Sequence, residues 1–385
     1  MKTGRTIQEM CLEIQRQSEA KADYLINTAS LRMEPWGNTP MLHVLDESGA
    51  DQVEPLEILD NAHQQIGAYL NIPRKYYERM QNEDPDLLAY NVNRWFEKEP
   101  EQRMVRTIDG RARAFLSNRY RRIDNLDIAK VTLPIIAEMP EARYESCQLT
   151  DNYMYIKVVN PKLTAEVVPG DVVQAGIVIS NSETGRGAVY VRPMIFRLVC
   201  RNGMTVSEIG TRRNHIGRIS ETDENFLLYS KETLKADDEA FVRKIQDSVR
   251  AAVQEAKFAA VVEKLKQCKE IKLDTGNIQN IVKMTGSALG YTDPEGEGIF
   301  QRLIEEADYT LYGLANAVTR YSQDVEDYDR ASKLEEIGYT VLTMSRSCSV
   351  RSIPYSVSRL PPEIFHIERD LTNLFLWRKD YERTE

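Results

Sequence analysis

The stretch from Arg143 to Val199 constrains the fold more than any other part of the chain. Residues 143–149, 153–159 and 172–180 are three strand candidates, the last two rich in β-branched and aromatic residues. Asp151-Asn152 and Pro169-Gly170 supply turns, Ser182–Gly187 supplies another, and 187–199 continues as strand or as strand then helix. Upstream, Met104–Ile108 and Arg113–Leu116 flank Asp109-Gly110, a two-residue hairpin signal. Short connections of this kind join antiparallel neighbours. The centre of the chain, about 100–205, is therefore expected to be an antiparallel sheet.

Helical periodicity brackets that centre. Ile7, Met10, Cys11 and Ile14, then Tyr24 and Leu25, fall near one face and predict a helix over 5–28. Pro35, Gly37, Pro40, Gly49 and Pro55 break 30–55, which reads as loop with a short strand at Met41–Leu45. Helices are expected at 58–70, from Pro73, at 84–97 and at 124–137. From about 236 a period near 3.6 returns through Phe241, Ile245, Val249 and Val253. Gly286, Gly290, Gly296 and Gly298 interrupt it, so GYTDPEGEG (290–298) reads as a flexible acidic loop. Pro354, Pro361 and Pro362 punctuate the tail. The expected class is α+β: a central antiparallel sheet with a hairpin and backing helices, and helical N- and C-terminal parts. The parts are 1–99, 100–235 and 236–385.

Several function classes drop out. Cys11, Cys147, Cys200, Cys268 and Cys348 are too far apart for a zinc cluster or a disulfide framework and read as free thiols. His43, His63, His215 and His366 are scattered, and the HExxH, Walker A, GxSxG and GxGxxG patterns are absent. Asp124 and Asp127, around Asn125, read as a helix cap and not as metal ligands. The sequence thus calls for no cofactor, no metal and no catalytic residue. No apolar run approaches a membrane span, and the first residues lack the apolar core of a signal peptide. A cytoplasmic protein with no membrane partner is expected.

Charge points the other way, towards binding. The chain carries a net charge of −9, yet Arg103, Arg106, Arg111, Arg113, Arg119, Arg121 and Arg122 face a single acid, Asp109, within twenty residues. Phe115 and Tyr120 are interleaved with them. A second run, Arg186, Arg192, Arg197, Arg201, Arg212, Arg213 and Arg218, contains only Glu208 as acid. Arginine grips phosphate with a planar fork and aromatic rings offer stacking platforms. Alternate residues of a strand share a face, so a hairpin could present several arginines together. The candidate nucleic-acid contacts are Arg111, Arg113, Arg119, Tyr120, Arg121 and Arg122 on one wall, and Arg201, Arg212 and Arg213 on the other.

Four segments together carry a resemblance: LNIPRKYYERM ending at Met80, RAFLSNRYRRIDN (113–125), GDVVQAGIVISNSETGRGAVYVRPMIFRLVCRNGM (170–204) and YGLANAVTRYSQD (312–324). Over roughly 58–330 the chain resembles a phage- and plasmid-borne family described as domain of unknown function 932. That resemblance implies a mobile-element protein of a bacterial host and brings no established chemistry. The element order is also similar to the core of ring-forming single-strand annealing proteins, which hold a DNA backbone in a basic groove lined by the hairpin and the following helix. The expectation is a non-enzymatic single-stranded-DNA-binding protein that promotes annealing in recombination of phage or plasmid DNA, as a homo-oligomer or ring. The alternative is an interaction or host-defence-antagonist protein that never touches DNA; a nuclease ranks third. Alanine at Arg119, Arg121 and Arg122 together is expected to weaken DNA binding and flatten its salt dependence, as read from an electrophoretic shift across a salt series.

Overall fold

A computed structural model describes residues 1–207, 210–214, 231–252 and 254–347. His215, Arg218, Cys348, Pro354, Pro361, Pro362 and His366 lie outside these residues. Helix α1 (Ile7–Ala20) runs directly into strand β1 (Lys21–Asn27), and three residues, Thr28–Ser30, lead to β2 (Leu31–Trp36), β3 (Thr39–Val44) and β4 (Leu56–Ile58). Helices α2 (Asp60–Tyr69), α3 (Arg74–Glu83) and α4 (Pro85–Lys98) precede the hairpin β5 (Gln102–Ile108) and β6 (Arg111–Ser117). Asp109 and Gly110 both have positive φ, 50° and 71°, as a tight primed turn requires.

The first sheet has the order β1-β5-β6-β4-β3-β2, so β1 and β2 are its two edges. In a flat sheet, five strand spacings would put those edges roughly 24 Å apart. The three residues that join them, four steps from Asn27 to Leu31, can reach only about 14 Å. The sheet must therefore curl. Its apolar residues Met33, Leu42, Val44 and Phe115 share one core with Ile66 of α2, Met80 of α3 and Leu88, Val92 and Phe96 of α4. This sheet corrects three expectations. The helix expected over 5–28 ends at Ala20, the 30–55 segment contains β2 in addition to the expected strand at Met41–Leu45, which is β3, and the hairpin pairs with N-terminal strands β1 and β4 and not with the central meander.

Helix α5 (Asn125–Ala137) leads to the second sheet. It is an antiparallel meander of β7 (Arg143–Leu149), β8 (Met154–Glu166), β9 (Val172–Asn181), β10 (Val189–Arg197) and β11 (Asn202–Thr205), with β12 (Thr211–Arg213) pairing the start of β10. The α+β class and the antiparallel centre are as the sequence indicates. Ile156, Val158, Ile177, Ile179 and Val191 pack on α1, α5 and α6 (Lys231–Ala252). The far end of the meander shares a core with the remaining helices, α7 (Glu255–Glu270), α8 (Ile278–Leu289), α9 (Asp293–Glu306), α10 (Leu311–Tyr321) and α11 (Tyr328–Ser347). The segment 290–298 is no loop. Thr292 and Glu295 form a reciprocal capping box with Pro294 in the first turn, so α9 starts at Asp293. Gly298 stays within the helix because its missing side chain leaves room for the Tyr321 ring.

His63 in α2 is buried, with Nδ1 2.9 Å from the Tyr77 hydroxyl. Burial pushes its pKa down to about 4, against a weaker opposing pull from Asp60. Between roughly pH 6.5 and pH 4 the unfolded chain takes up a proton that the folded chain refuses. Its contribution to stability is therefore complete above pH 6.5 and falls as the pH drops towards 4, by about 3 kcal/mol at most. Urea midpoints measured from pH 7 to pH 4 should fall less steeply for His63→Gln than for the unchanged protein.

Candidate functional site

The loop 182–186, between β9 and β10, lies between the two sheets. Ser182, Glu183 and Thr184 are buried, which is costly for a loop unless every polar group finds a partner. Each backbone carbonyl of these residues accepts from the first half of the chain. The Tyr120 hydroxyl donates to Ser182 O (3.1 Å) and Arg106 Nη1 to Glu183 O (2.9 Å). Asn61 Nδ2 (3.2 Å) and Gln65 Nε2 (2.8 Å) donate to Thr184 O. The Glu183 carboxylate accepts from Arg113 Nη2 and from the Asn125 N–H (2.6 Å), and Lys21 Nζ stands 3.5 Å away. Arg106, fully buried, also grips Asp23 (2.8 and 3.1 Å) and Asp124 (2.8 Å). Burial raises the Asp124 carboxyl, but Arg106 and Lys21 outweigh it and hold its pKa below the usual carboxylate value.

This clamp absorbs much of the first arginine run. Strand alternation puts Arg111 and Arg113 on one face, but a bulge intervenes. Ala112 and Ala114 pair with Thr107 and Arg106, and Arg113 is the extra residue between them. Arg113 therefore turns inward to Glu183 and cannot serve as a phosphate contact. Tyr120 is 6% exposed and holds Ser182, so it is no stacking platform. Arg103 lies over the Tyr69 ring at 4.4 Å. Arg111 sits half-buried at the hairpin tip, a strand length from the loop 117–122. In that loop Arg119 and Arg122 are exposed and Arg121 half-buried; Arg122 Nη1 pairs with Asp23 at 3.3 Å.

The second run divides as well. Arg197 is held between Asp171 (2.7 Å) and Glu306 (2.8 Å). Arg201 is exposed in the turn after β10 and stands 3.5 Å from Glu145. Arg212 and Arg213 are in β12, whose register pairs Tyr190 with Arg212 and Val189 with Arg213; the Arg213 side chain is outside the described set. The two groups sit at opposite ends of the nine-residue β10, roughly 25 Å apart. Arg201 and Arg212 do not form one wall.

Around Arg212 the structure assembles a different surface. Register places Tyr155, Ser180, Tyr190 and Arg212 in one row across β8, β9, β10 and β12. The next row on the same face contains Lys157, Val178 and Arg192. The half-buried Tyr190 ring has the Arg192 guanidinium 3.9 Å from its centre and that of Arg212 at 5.6 Å. Tyr153 lies 5.6 Å from Tyr155, and its hydroxyl donates to Arg186 O at 2.6 Å. Gly187 permits this approach, since a Cβ there would stand 2.6 Å from the Tyr153 ring. Helix α11 closes one side: Glu335 pairs with Lys157 in full burial and Glu336 with Arg192 at the rim. The sequence reading named Arg212 but missed Tyr153, Tyr190, Arg186 and Arg192 as a group. The alternation in Val189–Met194 carried the signal, because Tyr190 and Arg192 share a face.

Among the described residues no group of three or more His, Cys, Asp or Glu could hold a metal ion. Cys11, Cys147, Cys200 and Cys268 are free thiols. No described helix is long and apolar enough to cross a membrane. Fold and surface define an α+β protein whose two sheets are joined by a buried ionic clamp and whose second sheet bears an arginine–tyrosine strip. The chain belongs to the family described as domain of unknown function (DUF932), whose model matches residues 114–347. The match takes in the clamp loop, the strip and α11, and leaves out the segment ending at Met80. No curated protein and no solved structure matches the chain.

Glu183→Ala would strand Arg113 as a buried unpaired cation, which costs about 3–5 kcal/mol. The expected result is a clear drop in melting temperature, whereas Arg119→Ala, at an exposed site, should melt with the unchanged protein.

Proposed function

We propose that this protein binds single-stranded DNA, without breaking or making bonds in it, and promotes annealing in recombination of phage or plasmid DNA. The observation that carries this reading is the half-buried Tyr190 ring, with the Arg192 guanidinium 3.9 Å and that of Arg212 5.6 Å from its centre, in the row that begins at Tyr155. Aromatic rings on a sheet stack bases of any identity, and flanking guanidinium groups neutralise phosphates. A duplex keeps its bases stacked on one another and gains only the charge term, so single strands are preferred. Arg212 is exposed beside the Tyr190 ring, Arg186 is exposed with its guanidinium on Gln64, and the loop bearing Arg119 and Arg122 is tied by Tyr120 to Ser182, four residues before Arg186. Annealing requires several copies along one strand, so the same reading has a homo-oligomer acting in the cytoplasm of a bacterial host.

Fluorescence anisotropy of labelled oligo(dT) across a salt series tests it. Neutralising three phosphates through Arg186, Arg192 and Arg212 corresponds to a log–log salt slope of about −2. Tyr190→Leu should weaken binding by about 1–3 kcal/mol at constant slope. Arg212→Ala should weaken it and flatten the slope. Absence of oligo(dT) binding at low salt, or binding indifferent to both substitutions, would overturn the reading.

A further inference from the structure

We propose that Arg192 and Lys333 form a subsite for one backbone phosphate, which the Glu336 carboxylate fills while the protein is free. This inference rests on the single-stranded-DNA reading of the strip and adds a built-in competitor to it. Arg192 Nη1 lies 2.6 Å from Glu336 Oε1, and Lys333 Nζ lies 2.9 Å from Oε2. One carboxylate thus bridges a guanidinium and an ammonium, as a phosphate oxygen pair would. The Arg192 guanidinium already rests 3.9 Å from the Tyr190 ring centre, so a base stacked on the ring's other face brings its own phosphate near the same cations.

Exposure separates this pair from its neighbour. Lys157 and Glu335 are 1% and 0% exposed and are sealed under α11. Glu336 and Lys333 retain 29% and 58% of their side-chain surface, so solvent and a polyanion reach them without any movement of the helix. The helix itself is fixed by Leu334, Ile337 and Leu342 in the core. The competition therefore needs only a rotation of the Glu336 side chain. A phosphate displaces one carboxylate from two cations, and the released carboxylate turns to water.

The consequence is a substitution that tightens binding. Glu336→Gln keeps the size and a hydrogen-bonding oxygen but removes the competing charge. It should bind oligo(dT) roughly twofold to fivefold tighter at low salt, the effect of one partly exposed ion pair, with a salt slope steeper by about 0.7. Arg192→Ala should weaken binding, and Glu336→Gln should gain less in the Arg192→Ala background than alone, because only Lys333 is then left to be released. Melting curves of the single variants show whether each is folded. If the unchanged protein binds and Tyr190→Leu weakens it, yet a folded Glu336→Gln binds no tighter, the subsite is wrong and the strip stands. If neither the unchanged protein nor Glu336→Gln binds oligo(dT), the strip falls and the subsite with it.

Discussion

Glu183 is the residue on which the two halves of this protein depend. It enters the interface between the sheets on a buried loop, where an isolated carboxylate would not be tolerated. Three cations, Lys21, Arg106 and Arg113, and two further acids, Asp23 and Asp124, surround it. The six charges balance, and each is within hydrogen-bonding or ion-pairing distance of another. Such a cluster gives little net stability over an apolar contact of the same shape. It does fix geometry, because every other arrangement leaves a buried charge without its partner. The curled sheet and the meander are thus held in one relative position by chemistry and not only by apolar packing.

That position sets the surface. Once Ser182, Glu183 and Thr184 are clamped, the chain must emerge at Gly185 and Arg186 and enter β10 at Val189. Tyr153 closes over the backbone at Gly187, and Tyr190 follows one residue into the strand. Arginines in the same stretch of sequence therefore have opposite roles. Arg106 on β5 and Arg113 on β6 are drawn inward by Glu183 and its companions, while Arg192 on β10 and Arg212 on β12 flank the Tyr190 ring. The net charge of −9 makes this division consequential. A cationic patch on an acidic body is local, and any polyanion it holds must stay close to it.

Much of the meander was legible. β9 spans Val172–Asn181, one residue beyond the run that its β-branched content indicates, and the Asp109-Gly110 turn has the two positive φ values that its residues favour. What was not legible was non-local. Pro35 and Pro40 read as breakers, yet they pair with each other at the end of the β2–β3 hairpin, where a missing N–H matters least. β1 was hidden because Tyr24 and Leu25 continue the helical spacing of α1, and only pairing with β5 makes the segment extended. The bulge at Arg113 leaves no mark in composition, so alternation pointed that side chain to the wrong place. Two of the acids that consume the arginines are distant in sequence: Asp23 lies 83 residues from Arg106 and Glu183 lies 70 from Arg113, beyond any window that reads local charge.

The matched family stretch cuts through the clamp in an informative way. It begins at residue 114, so it contains Asp124 and Glu183 but none of the three cations that neutralise them. Lys21 and Arg106 come from the two paired strands β1 and β5, and Arg113 from the residue immediately before the stretch. A buried acid at the Glu183 position cannot persist without positive charge nearby. A protein that shares only the matched stretch must either supply that charge from other residues or place a neutral side chain there. The curled sheet is therefore no passive extension: its strands deliver the counter-charges that let the meander's loop stay buried, and with them the orientation of the arginine–tyrosine strip.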